Sequence, residues 1–189
     1  MKRKIRFFGF LLILILAVSF SLSASEEKIY EVYNEALGFQ AGEISGTGLS
    51  YQTWNDGVGF QYTFGALYLP IDIADYANVL DYNIAAEVQY SVYGEDFAKW
   101  LSGQLYLFGG LNHRGFIPVV YDEEFTSADY GSYTPVIAFG LGIGIEVVLF
   151  KHFSVPFEIG YGFFWYPTKS GWDQFLVNLI PQGGFRYRF

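Results

Sequence analysis

Most of this chain alternates with a period of two. In DYNIAAEVQYSVY, Tyr82, Ile84, Ala86, Val88, Tyr90 and Val92 share one face, and Asn83, Ala85, Glu87, Gln89 and Ser91 share the other. In WLSGQLYLFGGLN, Leu101, Leu105, Leu107 and Leu111 alternate with Ser102, Gln104, Tyr106 and Asn112. In VIAFGLGIGIEVVLF, seven large apolar residues from Ile137 to Leu149 alternate with Ala138, Gly140, Gly142, Gly144 and Glu146. Successive side chains of an extended chain point to opposite sides, so these segments are strands with two unlike faces. Eight can be read, at about 35–42, 46–54, 58–69, 81–93, 100–112, 135–150, 154–166 and 176–189.

The connections differ in length. Asn55-Asp56-Gly57 is a tight hairpin signal. EDFAK joins the fourth and fifth strands, and Lys151-His152-Phe153 joins the sixth and seventh. The links at 70–80, at the acidic and aromatic 113–134 and at 167–175 are longer, with EISG in the first link as the short exception. Tight turns at one end and longer loops at the other, on an even number of strands, fit a membrane-spanning barrel. Pro156 and Pro181 lie in strand positions where a closed sheet has no edge to excuse a missing donor. A bulge or local irregularity is expected at one or both.

The polar face decides which side meets which solvent. Lys99, Lys151 and Lys169 all fall in or beside connections, and the strand interiors carry Gly, Ser, Gln and a few charges instead. Small and amide side chains suit the narrow lumen of an eight-stranded barrel. The apolar face then meets lipid, where a closed sheet leaves no backbone group unpaired. Tyr68, Tyr82, Tyr93, Trp100, Phe150 and Trp165 fall near strand ends, as interfacial aromatic girdles would. The expected fold is all-β: an eight-stranded antiparallel up-and-down transmembrane β-barrel.

The amino end reads as an export signal. MKRKIR is followed by the apolar stretch Phe7 to Leu22, then by Ser23, Ala24 and Ser25. Residues 1–24 are assigned as a cleaved signal peptide, the alternative being an uncleaved anchor. Residues 25–34 form an N-terminal segment and 35–189 the barrel. Removing 1–24 leaves 11 − 4 = 7 basic against 19 acidic residues, a net charge of −12. That balance excludes nucleic acid as a partner, since phosphate binding needs a basic face. The chain has no cysteine, which removes disulfides, thiolate metal sites and cysteine nucleophiles.

The last eight residues, QGGFRYRF, resemble the carboxyl-terminal insertion signal of bacterial outer-membrane barrels: polar, any, glycine, any two, then aromatic-any-aromatic. Gln182, Gly184, Tyr187 and Phe189 fill those places. The resemblance implies a biogenesis partner, the barrel-assembly machinery. From about Leu37 to Phe189 the chain resembles the small outer-membrane proteins of the OmpA-domain, OmpX and opacity-protein type, SGTGLSYQTWNDGVGFQYTFG being similar to their early hairpin. That implies a home in the outer membrane of a diderm bacterium, contact with its lipid, and residues 25–34 in the periplasm.

Glu87, Glu146, Glu158, Arg186 and Arg188 fall on the lumen face. A turn at 151–153 would set Glu146 directly opposite Glu158, and like charges there repel unless a proton or cation intervenes. The expected arrangement is an internal Glu146/Glu158/Arg186 plug, with Arg188 nearer the periplasmic mouth. An ion gate or a catalytic acid pair is the alternative. His152-Phe153-Ser154 resembles the H-x-S element of outer-membrane lipid A deacylases, with Glu158 as the orienting acid. Against it stand its place at a tight turn, the lumenal register of Ser154 and the short spacing. His113 has no second ligand at metal spacing. Asp122, Glu123, Glu124 and Asp129 could hold divalent cations loosely, though as loop acids they serve solubility. No catalytic, cofactor or metal residue is assigned.

The expected role is therefore non-enzymatic, structural or surface-contact, with an extracellular ligand met through loop 113–134. A narrow channel or carrier for small molecules is the alternative, supported by the volume a glycine-lined sixth strand would leave. A lipid A-modifying hydrolase ranks third.

Overall fold

The computed structural model describes residues 32–70, 78–122 and 128–189. The signal peptide 1–24, most of segment 25–34, and Glu123 and Glu124 lie outside the described residues. The strands are β1 (Glu35–Ala41), β2 (Gly48–Asn55), β3 (Val58–Tyr68), β4 (Asn78–Ala98), β5 (Leu101–Tyr121), β6 (Ala128–Tyr130), β7 (Thr134–Leu149), β8 (Phe153–Trp165) and β9 (Phe175–Arg188). All but β6 form one antiparallel ring, closed where β1 pairs with both β2 and β9. β6 lies along the far end of β5, outside the ring.

Burial follows the two-residue period. Along β8, Phe153, Val155, Phe157, Ile159, Tyr161, Phe163 and Trp165 are exposed, while Ser154, Pro156, Glu158, Gly160, Gly162 and Phe164 are buried. Phe39 is 67% exposed and Leu141 65%, whereas Glu146, Glu158, Arg186 and Arg188 are fully buried. A water-soluble fold has the reverse arrangement. The apolar rows face hydrocarbon and the amide and charged rows fill the lumen.

Local sequence explains the turns. Asp56 and Gly57 both have positive φ (47° and 79°), the requirement of a two-residue type I′ hairpin. The β7–β8 turn is Phe150-Lys151-His152, with Phe150 and Lys151 left-handed and the His152 N–H donating to Leu149 O at 3.2 Å. This sits one residue earlier than the expected 151–153. The register therefore pairs Leu149 with Phe153, and Glu146 faces Pro156 while Glu158 faces Gly144. Glu146 and Glu158 are not directly opposite.

Two connections are shorter than expected. β4 and β5 each run 21 residues and meet through Lys99-Trp100 alone, so EDFA belongs to β4. The alternation lapses there because register shifts fall at Ser91/Tyr93 and Asp96/Ala98. Loop 113–134 is largely strand: β5 continues to Tyr121, and Val119–Tyr121 pair with β6 as a two-stranded arm.

The expected irregularity falls at Pro156 and not at Pro181. At Pro156 the β8–β9 ladder loses the pairs at 155 and 156, yet register is unchanged, because Ser154↔Arg186 and Phe157↔Gly183 keep the same sum. Pro181 causes no bulge, since it lies beyond Gly183, where β9 has no β1 partner. An open edge tolerates a missing donor.

Candidate functional site: a braced lumen below an open vestibule

Going inward from the end with the tight turns, the lumen begins with Trp54, whose ring lies over Gly59 and stands edge-on to Tyr106 at 5.9 Å. Next come the arginines. Arg188 Nη2 donates to Glu146 Oε2 at 2.6 Å and to Gln52 Oε1 at 3.0 Å. Arg186 Nη1 reaches Glu146 Oε1 at 3.5 Å, and its Nη2 donates to Gln40 Oε1 at 2.8 Å and to Gln61 Oε1. One buried carboxylate thus faces two guanidiniums from alternate positions on β9.

The next layer holds Glu87 and Glu158. Gln89 Nε2 donates to Glu87 at 2.7 Å and Glu158 at 3.4 Å, and Gln182 Nε2 to Glu158 at 2.8 Å and Glu87 at 3.4 Å. Tyr106 O–H adds a 2.6 Å bond to Glu158 Oε1. Glu158 is therefore met by amides and a phenol, and Glu146 by the arginines. All five sequence-selected charges are buried in the lumen, but they divide into two layers. The glutamines and Tyr106 that complete them carry an ordinary sequence signal, a polar residue on the inward face.

The glycines of β7 leave no open volume. A Cβ on Gly144 would strike the Tyr106 ring, one on Gly142 or Gly160 the Phe108 ring, and one on Gly140 Ile44. Ile44 belongs to the β1–β2 connection, which dips into the barrel. Its N–H and that of Ser45 donate to Gln182 Oε1 at 3.3 and 3.2 Å. The expected support for a channel is thus overturned: bulky groups from β5 and from the first link occupy the space that the small residues vacate.

Ser154 Oγ donates to Glu146 Oε1 at 2.7 Å and is fully buried. His152 turns elsewhere, its Nδ1 2.9 Å from Arg188 O and its ring stacked on Tyr187 at 5.1 Å. The H-x-S residues form no nucleophile–base pair here. His113 packs against Tyr82 at 5.8 Å. No group of three metal-type ligands assembles among the described residues. Within the terminal motif, Gln182 braces the lumen, Gly184 admits Gln40, and Tyr187 and Phe189 lie exposed at the turn end.

The opposite end is open. β1 and β2 have seven and eight residues, against fourteen in β9 and eleven in β3. β1 leaves 175–182 of β9 unpaired, and β2 leaves 65–68 of β3 unpaired. The wall therefore has a notch above the β1–β2 turn. Behind it lies a cavity of about 810 Å³. Its inward-facing walls include Phe116, Val136, Ala138 and Phe164 beside Asp81, Asn83, Asn112 and Arg114.

No family model and no curated protein sequence matches the chain. Among solved structures it is similar to the N-terminal β-barrel domain of Pseudomonas aeruginosa OprF, at 11% identity and TM-score 0.47, covering 82% of this chain and 96% of that one. It is also similar to Ail, the attachment invasion locus protein of Yersinia pestis, at 15% identity and TM-score 0.33, covering 82% and 97%. A second Ail structure, in complex with the heparin analogue sucrose octasulfate, gives 15% identity and TM-score 0.29 over 82% and 94%. Closed antiparallel ring, hydrocarbon-facing rows and filled polar lumen together make this chain a small eight-stranded antiparallel transmembrane β-barrel.

Proposed function

We propose that the protein is a non-enzymatic, non-conducting barrel whose rigid wall carries its loop-end surface, with a structural or surface-contact role. The observation that carries this reading is the occlusion of the lumen by two layers of buried, mutually bonded side chains. Contact function sits on loops held by a rigid scaffold, and the β5–β6 arm is the most extended described segment at that end.

In planar bilayers the purified barrel is expected to give no unitary conductance. Salt-dependent current steps altered by Glu146→Gln would replace this reading with the channel. Deleting 119–130 is expected to reduce adherence of cells displaying the barrel to a matrix-coated surface, at unchanged levels of folded protein. Equal adherence would remove the contact role from the arm.

The same reading has the barrel-assembly machinery take Gln182, Gly184, Tyr187 and Phe189 as its signal during insertion. Truncation of Phe189 should then slow appearance of the folded form in cells but not refolding into vesicles. Equal slowing in both settings would assign Phe189 to stability alone.

A further inference from the structure

The loop-end cavity differs from the lumen below it in two ways. Its inward-facing wall sets Phe116, Val136, Ala138 and Phe164 beside its polar residues, where the two layers below are built of amides, carboxylates and guanidiniums. It is also continuous with the hydrocarbon-facing surface: Phe39, Leu49 and Phe64, exposed on the outside of the wall, line it together with Leu67, which faces inward yet is 54% exposed. The connecting passage is the notch above the β1–β2 turn, floored by Gly42 and Gly48 and flanked by Gly65. Its volume lies within the roughly 300–1,000 Å³ typical of small-molecule sites.

One residue lining this cavity has a polar atom that lacks its counterpart. Asn112 is 4% exposed, and its Nδ2 donates to Glu43 O at 2.9 Å, which fixes the orientation of the amide. Its Oδ1 has no hydrogen-bond partner among the described residues. Buried acceptors are normally satisfied, and this one calls for a donor. The charge nearby sets a further condition. Arg114 is engaged by Asp81 through bonds of 2.9 and 2.5 Å, which leaves the Glu43 carboxylate as the excess charge among the lining residues. A carboxylate head would meet repulsion there.

We propose that the vestibule binds a single-chain membrane amphiphile, its alkyl chain passing between bilayer and cavity over the β1–β2 turn and its uncharged, hydrogen-bond-donating head, a hydroxyl or amide, meeting Asn112 Oδ1. The site lies wholly on the loop side of Ile44 and needs no passage through the lumen. It goes beyond the contact role, and each can fail without the other.

The test uses the mature barrel in dimyristoylphosphatidylcholine nanodiscs with labelled methyl groups. The probes are 1-dodecanol, its methyl ether and dodecanoate. Saturable shifts and intermolecular NOEs at Val136 and Ala138 are expected, with 1-dodecanol binding about fivefold tighter than the ether or the carboxylate, the ratio that one hydrogen bond of ordinary net strength gives. Ala138→Phe, which fills the cavity, should abolish the saturable signal, and Asn112→Leu should erase the preference of alcohol over ether while keeping the chain contacts. Absence of saturable shifts in the wild type, or NOEs confined to outward methyls such as those of Leu141 and Ile143, overturns the site. Equal affinity for alcohol and ether in the wild type overturns the assignment of the head to Asn112. The wild-type readouts stand even if a variant does not fold.

Discussion

Replacing Glu146 by alanine is expected to destabilise the folded barrel by about 3–5 kcal/mol, the range for removing one member of a buried ion pair. The carboxylate is fully buried and receives both Arg186 and Arg188, together with Ser154 Oγ. Its loss leaves two guanidiniums in a closed lumen, each retaining bonds to glutamine oxygens but no carboxylate in direct contact. Urea-dependent unfolding from phosphatidylcholine vesicles measures the change, with the temperature at which the compact band is lost on gels as a second readout. Glu146→Gln, which keeps shape and one acceptor oxygen, should cost less than alanine. A loss below about 1 kcal/mol for alanine, the level of an exposed pair, would mean that the arginines find water and that the lumen is not closed around them.

Tyr106→Ala should produce a loss of about 3–5 kcal/mol, as for other large buried rings. The ring packs edge-on to Trp54, covers Gly144 directly across the β5–β7 ladder and gives Glu158 its shortest hydrogen bond. Tyr106→Phe separates these roles, because it keeps the ring and removes only the donor to a charged acceptor, worth about 1.5–3 kcal/mol. Gly144→Val, which drives a side chain into that ring, should cost about 1–3 kcal/mol alone. In the Tyr106→Ala background the valine enters the vacated space, so the double variant should be more stable than the sum of the single effects implies. Strict additivity would show that ring and glycine do not share one volume.

The fold was legible because its main signal is redundant. Any one of the segments around Ile84, Leu107 or Ile143 gives the two-residue period, and the lysines at 99, 151 and 169 mark where the chain leaves hydrocarbon. Other details depend on single-residue offsets that alternation does not report. Counting the β7–β8 turn as 151–153 instead of 150–152 changes every cross-strand partner by two while leaving each side chain on its correct face. Alternation therefore puts both Glu146 and Glu158 in the lumen but does not decide whether they lie opposite one another.

Other features were hidden for a physical reason. A glycine row reads as empty space in sequence, yet a ring from the neighbouring strand can fill it, and Tyr106 and Phe108 look like ordinary strand aromatics until register is known. The inward fold of residues 42–47 depends on Gln182, some 137 positions from Ser45, so no local pattern announces it. The arm formed by β5 and β6 has the sequence signature of a loop because His113, Arg114 and Gly115 interrupt the greasy alternation once the strand leaves the bilayer.

The arginine layer has a mechanical meaning as well as an electrostatic one. Through Gln40, Gln61 and Glu146, Arg186 ties β9 to β1, β3 and β7, much as spokes tie a rim. Ladder bonds alone let a cylinder of strands ovalise under lateral pressure, whereas ties across the diameter resist it. The ring is thus stiffest at the arginine layer, on the side of the lumen away from the vestibule.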